Sequence, residues 1–319
     1  MTLRVPGIHH VTAISGPAQQ NMDFYADVLG LRTIKQTVNF DDPGNHHLYY
    51  GDRAGTPGTA MTFFPWEHAP RGGSGSGATE ATGFSVPAGS LEFWGERLKG
   101  AGASPQEVDT RFDEESLRCE DPDGLIFEIV AGPATRETTA GAPVHPDIPT
   151  EFAVHAFHGV LLDVVDPDPT ARLLTDVMGF EHVGEYGGRL RFRTDEHEVG
   201  SIVDLRSAGS GARVYMGRGS VHHVAFRARD DEEQQSWRET ITNAGIPVTT
   251  VQDRCYFHSI YFREPGGVLF EIATDTPGFG IDESEEELGR KLQLPPWFES
   301  RREKLEAQLP RLVLPDERS

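Results

Sequence analysis

Apolar and polar positions along this chain change period four times in the same way. A short alternating run gives way to a stretch with helical spacing, as at Gln20–Leu29 and Glu232–Ala244, and then to several short alternating runs. Gly30, Gly102, Gly179 and Gly245 stand where the helical stretches stop, and Asp-Pro or Glu-Pro-Gly turns precede the last run of the second and fourth copies. The expected unit is therefore βαβββ, repeated.

The repeats are also visible as residues. Ala26-Asp27-Val28-Leu29-Gly30-Leu31 is echoed by Thr175-Asp176-Val177-Met178-Gly179-Phe180, and Asp121-Pro122-Asp123-Gly124-Leu125-Ile126-Phe127-Glu128-Ile129 by Glu264-Pro265-Gly266-Gly267-Val268-Leu269-Phe270-Glu271-Ile272. Four modules result, near 7–65, 80–132, 154–207 and 221–275. A lone βαβββ unit leaves one face of its sheet bare, so the expected fold is α+β: paired units form two cup-shaped mixed sheets with helices outside and a cavity inside. In chain order the expected domains are 1–132 and 151–275, joined by a Pro-, Thr- and Gly-rich linker at 133–150 and followed by a helical tail at 276–319 that breaks at Pro295-Pro296. Arg71-Gly72-Gly73-Ser74-Gly75-Ser76-Gly77 lacks the Lys-Ser/Thr ending of a phosphate-binding loop and is expected to be a mobile connection.

Alternation also sorts the candidate chemistry. His9-His10 opens the first strand of module 1, His222-His223 that of module 4, and Glu271 lies on the last strand of module 4. Successive strand residues point to opposite faces. If Val11, Ala13, Val224, Phe226, Phe270 and Ile272 face the helices, then His10, His223 and Glu271 face the cup, and His9 and His222 turn away. Two neutral imidazoles and one carboxylate suit a divalent ion with open positions, as in non-haem iron(II) centres, where a substrate oxyanion and oxygen can bind side by side. His158, opening module 3, competes with His10: it aligns with His10 or with His9 according to where a one-residue gap is placed. The doublet occurs only in modules 1 and 4, which favours their sharing a cup; the other cup then offers at most His158 and Glu128. His46, His47, His68, His145, His155, His182, His197 and His258 carry the ordinary expectation of hydrogen-bonded core or surface residues.

Composition narrows the partners. A formal net charge of -21 argues against nucleic acid and anionic membranes. Only Lys35, Lys99, Lys291 and Lys304 are lysines, a balance that suits either a salt-rich cytoplasm or simply a soluble acidic surface. Cys119 and Cys255 are too few for a thiolate site, so a metal would fall to His and carboxylates. No segment has the ~20 apolar residues of a membrane span, and Met1–Gly7 lacks signal-peptide character, so a cytoplasmic protein is expected, with a homo-oligomer compatible with everything above.

Ile8-His9-His10-Val11-Thr12, the stretch Gly55–Pro65 and Tyr261–Glu271 together resemble the hydroquinone-cleaving 1,2-dioxygenases and related ring-cleaving dioxygenases of the vicinal oxygen chelate (glyoxalase/bleomycin resistance/extradiol dioxygenase) superfamily. The resemblance extends to Leu294-Pro295-Pro296-Trp297. It implies iron(II), sometimes manganese(II), with ligands at His10, His223 and Glu271, supporting residues at His9, His222, Arg254 and Tyr261, and the pairing of module 1 with module 4. A small aromatic and O2 are the implied reactants. Tyr261 or a neighbouring histidine would serve as acid and base, and Phe64, Trp66 and Phe257 are candidate pocket walls. The segment Asp253–His258 is shorter than in the hydroquinone enzymes. Two alternatives share the fold: a glyoxalase-type lyase or isomerase using zinc or nickel, which ordinarily recruits a fourth protein ligand, and a metal-free small-molecule binder.

Overall fold

In the first module β1 (Ile8–Ser15) leads into α1 (Ala18–Met22), which widens into a π-type turn over Asp23–Val28, and β2 (Arg32–Val38), β3 (His46–Gly51) and β4 (Ala60–Pro65) follow. The second gives β5 (Ala78–Val86), α2 (Leu91–Gly100), β6 (Asp109–Arg111), β7 (Glu114–Glu120) and β8 (Ile126–Ala131). The third gives β9 (Ala156–Val164), α3 (Pro167–Arg172) with a π-type turn over Leu173–Val177, β10 (Glu181–Tyr186), β11 (Arg189–Arg193) and β12 (Ile202–Ser207). The fourth gives β13 (Ser220–Ala228), α4 (Asp231–Asn243), β14 (Gln252–Asp253), β15 (Phe257–Arg263) and β16 (Leu269–Pro277). This computed structural model describes residues 3–73, 75–132, 145–194, 199–209 and 214–317; most of the expected linker, and His197, lie outside them.

The helices start and stop for local reasons. Asp230 caps α4 by accepting from Glu233 N at 2.9 Å, and Asp166 caps α3 with Pro167 in its first turn. Gly30 ends the first module's helical segment at φ 67°, a left-handed conformation in which a side chain would also strike Ile148.

Hydrogen bonding joins modules across the chain. One eight-stranded sheet runs β14-β15-β16-β13-β1-β4-β3-β2 and the other β10-β11-β12-β9-β5-β8-β7-β6. Modules 1 and 4 thus share a sheet through antiparallel β1 and β13, and modules 2 and 3 share the other through β5 and β9. Val11, Ala13, Val224, Phe226, Phe270 and Ile272 enter the main apolar core, as alternation requires.

Alternation fails at one kind of place. Ile8 to His10 in β1 faces the single step Phe226 to Ala225 in β13, leaving His9 as an extra residue; Val221 to His223 faces Thr12 to Ala13, leaving His222 extra. The other central pair repeats the device at Glu80 and His158. A bulge inserts one residue and re-aims the side chains beside it.

The tail is helical over less of its length than expected. Past β16 it contains α5 (Arg302–Gln308) and single 3-10 turns at Phe279–Ile281, Glu299–Arg301 and Pro315–Glu317. Elsewhere it straps across β2: Gln293 N donates to Gln36 O at 2.9 Å, and Gln36 Nε2 donates to Gly289 O at 2.7 Å. Consecutive prolines at 295 and 296 lack the N–H groups a helix needs there. Lys35, fully buried, anchors the strap through Asp282 at 2.6 Å and through Glu283. The glycine-rich connection is also held, Gly72 N donating to Arg218 O at 2.8 Å and Gly77 N to Asp163 O at 2.7 Å, rather than left free.

Candidate metal centre

Strands β1, β13 and β16 bring His10, His223 and Glu271 to one buried point, their ligand atoms within 4.8 Å of one another. His10 Nε2 lies 3.3 Å from His223 Nε2, and Glu271 Oε2 lies 3.5 Å from the first and 2.9 Å from the second. This is the only such group among the described residues. His158 is elsewhere: it lies in the other sheet, at the bulge position equivalent to His9 and His222, with Nε2 3.0 Å from Glu114.

The two bulges correct the expectation that His9 and His222 turn away from the cup. His9 Nδ1 sits 2.9 Å from His10 Nδ1, and His222 Nδ1 sits 2.7 Å from His223 Nδ1. The Thr274 backbone carbonyl accepts a hydrogen bond from His9. With its other nitrogen protonated for that bond, His9 presents a lone pair at Nδ1, so His10 donates from Nδ1 and keeps its own lone pair at Nε2, facing the centre. Burial first, and the neighbouring imidazole second, hold His9 well below the ordinary histidine range and His222 at about 3, so both stay neutral supports.

Glu271 completes the set. Ser259 Oγ donates to Oε1, while Oε2 is buried without a hydrogen-bond partner. Burial opposes its ionisation, but the surrounding His10 and His223 nitrogens hold it well below the carboxylate range. Burial depresses His223. Lone pairs from two imidazoles and a carboxylate crowding into one small triangle repel one another unless a cation lies between them, so the donor set fits a divalent metal.

Beyond the triangle opens a cavity of about 430 Å³ lined by, among others, Phe64, Trp66, Phe257, His222, Arg254 and Tyr261. Phe64 and Trp66 stack at 16°. Arg254 Nε donates to Tyr261 Oη at 3.2 Å, and its other nitrogens meet Asp41 at 3.0 Å and Gln252 at 2.6 Å. Burial, then the Glu271 charge, push the Tyr261 phenol upward, so it stays protonated. His47, expected to be an ordinary core histidine, also lines this cavity, with Tyr49 beside it.

The other cup is plugged. Ala81 and Gly159 follow its two bulged residues, where the first sheet has His10 and His223, and Glu128 occupies the place of Glu271. Arg189 donates to both oxygens of Glu128 at 2.7 and 3.2 Å; Arg111 and Arg118 reach it at 3.2 Å. Burial would raise Glu128 and Glu114, but Arg189 for the first and His158 with Arg191 for the second outweigh it and bring both from 4.5 to about 2. Because both folded values are depressed, their contribution to stability is complete above pH 4.5 and is lost as pH falls from there toward 2. Acid unfolding followed by circular dichroism is expected to steepen in that window. An unchanged acid profile in a Glu114→Gln, Glu128→Gln double variant would contradict this account.

The family model for the Glyoxalase/Bleomycin resistance protein/Dioxygenase superfamily matches residues 7–129 and 156–272. MhqO of Bacillus subtilis (strain 168), named as a candidate ring-cleaving dioxygenase, is 46% identical over 309 residues, covering 97% of each chain. A chlorohydroquinone/hydroquinone 1,2-dioxygenase of Sphingobium indicum is 32% identical over 313 residues, covering 95% of each. The crystal structure of a candidate dioxygenase from Bacillus subtilis superposes with a TM-score of 0.94 at 44% identity, over 98% of this chain and 99% of that one. With the repeat matched on both sides of its linker and relatives aligned over nearly its full length, the chain belongs to the Glyoxalase/Bleomycin resistance protein/Dioxygenase superfamily.

Proposed function

We propose that this protein is a ring-cleaving dioxygenase that opens a hydroquinone- or catechol-type ring with O2, using iron(II) held by His10, His223 and Glu271. The observation that carries the reading is the buried triangle of unshared lone pairs opening into an aromatic-walled cavity. When bound, iron(II) supplies redox chemistry toward O2 and positive charge for a phenolate oxygen. The chain's own residues do the rest. His9 and His222 fix the tautomer of the two ligands, and Phe64, Trp66 and Phe257 offer flat faces to a ring. Tyr261, a protonated phenol steadied by Arg254, can donate to a substrate oxygen and take the proton back, while the guanidinium supports negative charge that develops nearby.

Manganese(II) fits the same ligands. A zinc- or nickel-dependent lyase or isomerase would be expected to draw on a fourth protein ligand, and the described residues offer a group of three. A metal-free binder has no use for converging lone pairs. A small aromatic and O2 as partners, and a cytoplasmic location, belong to the same proposal; no helix among the described residues is long and apolar enough to cross a membrane.

The test is anaerobic reconstitution with iron(II), then oxygen-uptake measurements with a panel of hydroquinones, catechols and thiol adducts of methylglyoxal. One O2 consumed per ring opened is expected. Absence of uptake with every phenol, together with turnover of an adduct by the zinc or nickel form, would replace the dioxygenase by the isomerase.

A further inference from the structure

The sheet that holds the centre is built from two copies of one module, so each residue near the metal position has a counterpart across an approximate twofold relation between β1 and β13. The registers identify them. His10 lies beside Ala60 in the parallel β1–β4 pair, and Val224 beside Phe270 in β13–β16, so His223 corresponds to His10, Leu269 to Ala60 and Glu271 to Thr62. On the next strands Tyr49 pairs with Thr62, as Tyr261 pairs with Glu271. Two residues before those tyrosines stand His47 and Ser259.

The contacts repeat as well as the positions. Ser259 donates to Glu271, and Tyr261 hydrogen-bonds Ser259. In the other arm His47 Nε2 is 3.0 Å from Thr62 Oγ1, and Tyr49 Oη is 2.9 Å from His47 Nδ1. Thr62 Oγ1 is also 2.8 Å from Thr12 Oγ1. All four residues of this second arm are buried. A buried phenol whose hydroxyl meets one acceptor donates to it; Tyr49 therefore donates to Nδ1, and His47 donates from Nε2 to Thr62. The arm is fully hydrogen-bonded and carries no charge at the position where its counterpart carries a carboxylate.

We infer that Thr62, held by His47 and Tyr49, occupies the place of a second metal-ligating carboxylate and thereby keeps one side of the metal position open and neutral for outside ligands. The inference rests on the proposed His10, His223 and Glu271 site. Its chemical sense is charge balance. Two imidazoles and one carboxylate leave one positive charge on a divalent ion, which a phenolate can neutralise; a second carboxylate would neutralise it first and take up the position the phenolate needs. Thr62 is thus a residue that selects a phenolate-binding reaction, and His47 is a positioning residue acting through it.

Anaerobic titration of the full chain with cobalt(II), followed by visible absorption, tests this together with oxygen uptake by the iron(II) form. Thr62→Glu is expected to bind cobalt(II) about tenfold or more tightly, with changed band intensity, and to lose oxygen uptake about a hundredfold or more. Thr62→Gln, of similar size and no charge, should stay within about threefold of the parent affinity. If Thr62→Glu loses cooperative thermal unfolding, Thr62→Asp carries the same comparison. An acidic variant with parental affinity and spectrum overturns the inference while leaving the metal site standing; a parent protein that binds neither cobalt(II) nor iron(II) overturns the site itself. For His47, replacement by Leu should lower kcat about tenfold with KM and cobalt affinity nearly constant, and replacement by Gln should restore most of it. Equal losses in the Leu and Gln variants would remove the positioning role.

Discussion

Replacement of Glu271 by Ala is expected to weaken binding of iron(II) by more than about a hundredfold and to abolish oxygen uptake, because it removes the site's one anionic ligand, a larger loss than the 10- to 100-fold typical of residues that merely support a ligand. Its effect on folding separates this role from a structural one. In the metal-free protein Glu271 is a fully buried carboxylate whose Oε2 meets only the two imidazoles, so its attraction to them is set against the cost of burying its charge. The metal-free variant should therefore unfold close to the parental temperature, while the stabilisation that added metal gives the parent disappears. A variant that keeps its iron, or one that is destabilised without metal as much as with it, would contradict the assignment.

Glu128, the corresponding carboxylate of the other sheet, should behave in the opposite way. It is held by three arginines, and Arg189 spans both of its oxygens. Replacing Arg189 by Met leaves a buried carboxylate short of its main partner, at an expected loss of about 3 kcal/mol in urea unfolding. Metal content and turnover per folded molecule should not change. Pairing Arg189→Met with Glu128→Leu should recover part of the loss, since removing both charges is milder than stranding one. Two glutamates at equivalent positions would then differ cleanly, one costing activity and the other stability.

The difference between those two sites explains what could be read from the chain beforehand. Turn residues and period-two runs marked the four modules, because glycine stops and Asp-Pro turns act locally. Alternation also sorted His10, His223 and Glu271 onto one face. It misdirected His9 and His222, since a bulge depends on the partner strand's register and leaves no mark in the strand's own residues. The same shift places His158 level with His9. His47 and Tyr49 escape the sequence pattern for a different reason. Their strand opens on a doublet of its own, His46-His47, but it is not the first strand of its module, and their role appears only when His47-Leu48-Tyr49 is laid over Ser259-Ile260-Tyr261, a match of spacing with just one identity. The tail's apolar spacing predicts more helix than forms because that spacing reflects docking on β2 rather than helical turns.

The pairing of β1 with β13 also sets an order of events during synthesis. His10 and His223 are 213 residues apart, so the N-terminal strand leaves the ribosome long before its neighbour exists. Modules 2 and 3 are contiguous and can close their own sheet, plug included, while module 1 waits with one strand edge unpaired. The metal position is consequently assembled last, when module 4 arrives. A ribosome that stalls before β13 releases a chain half folded and unable to gather the three ligands, so this architecture withholds metal chemistry from incomplete copies of itself.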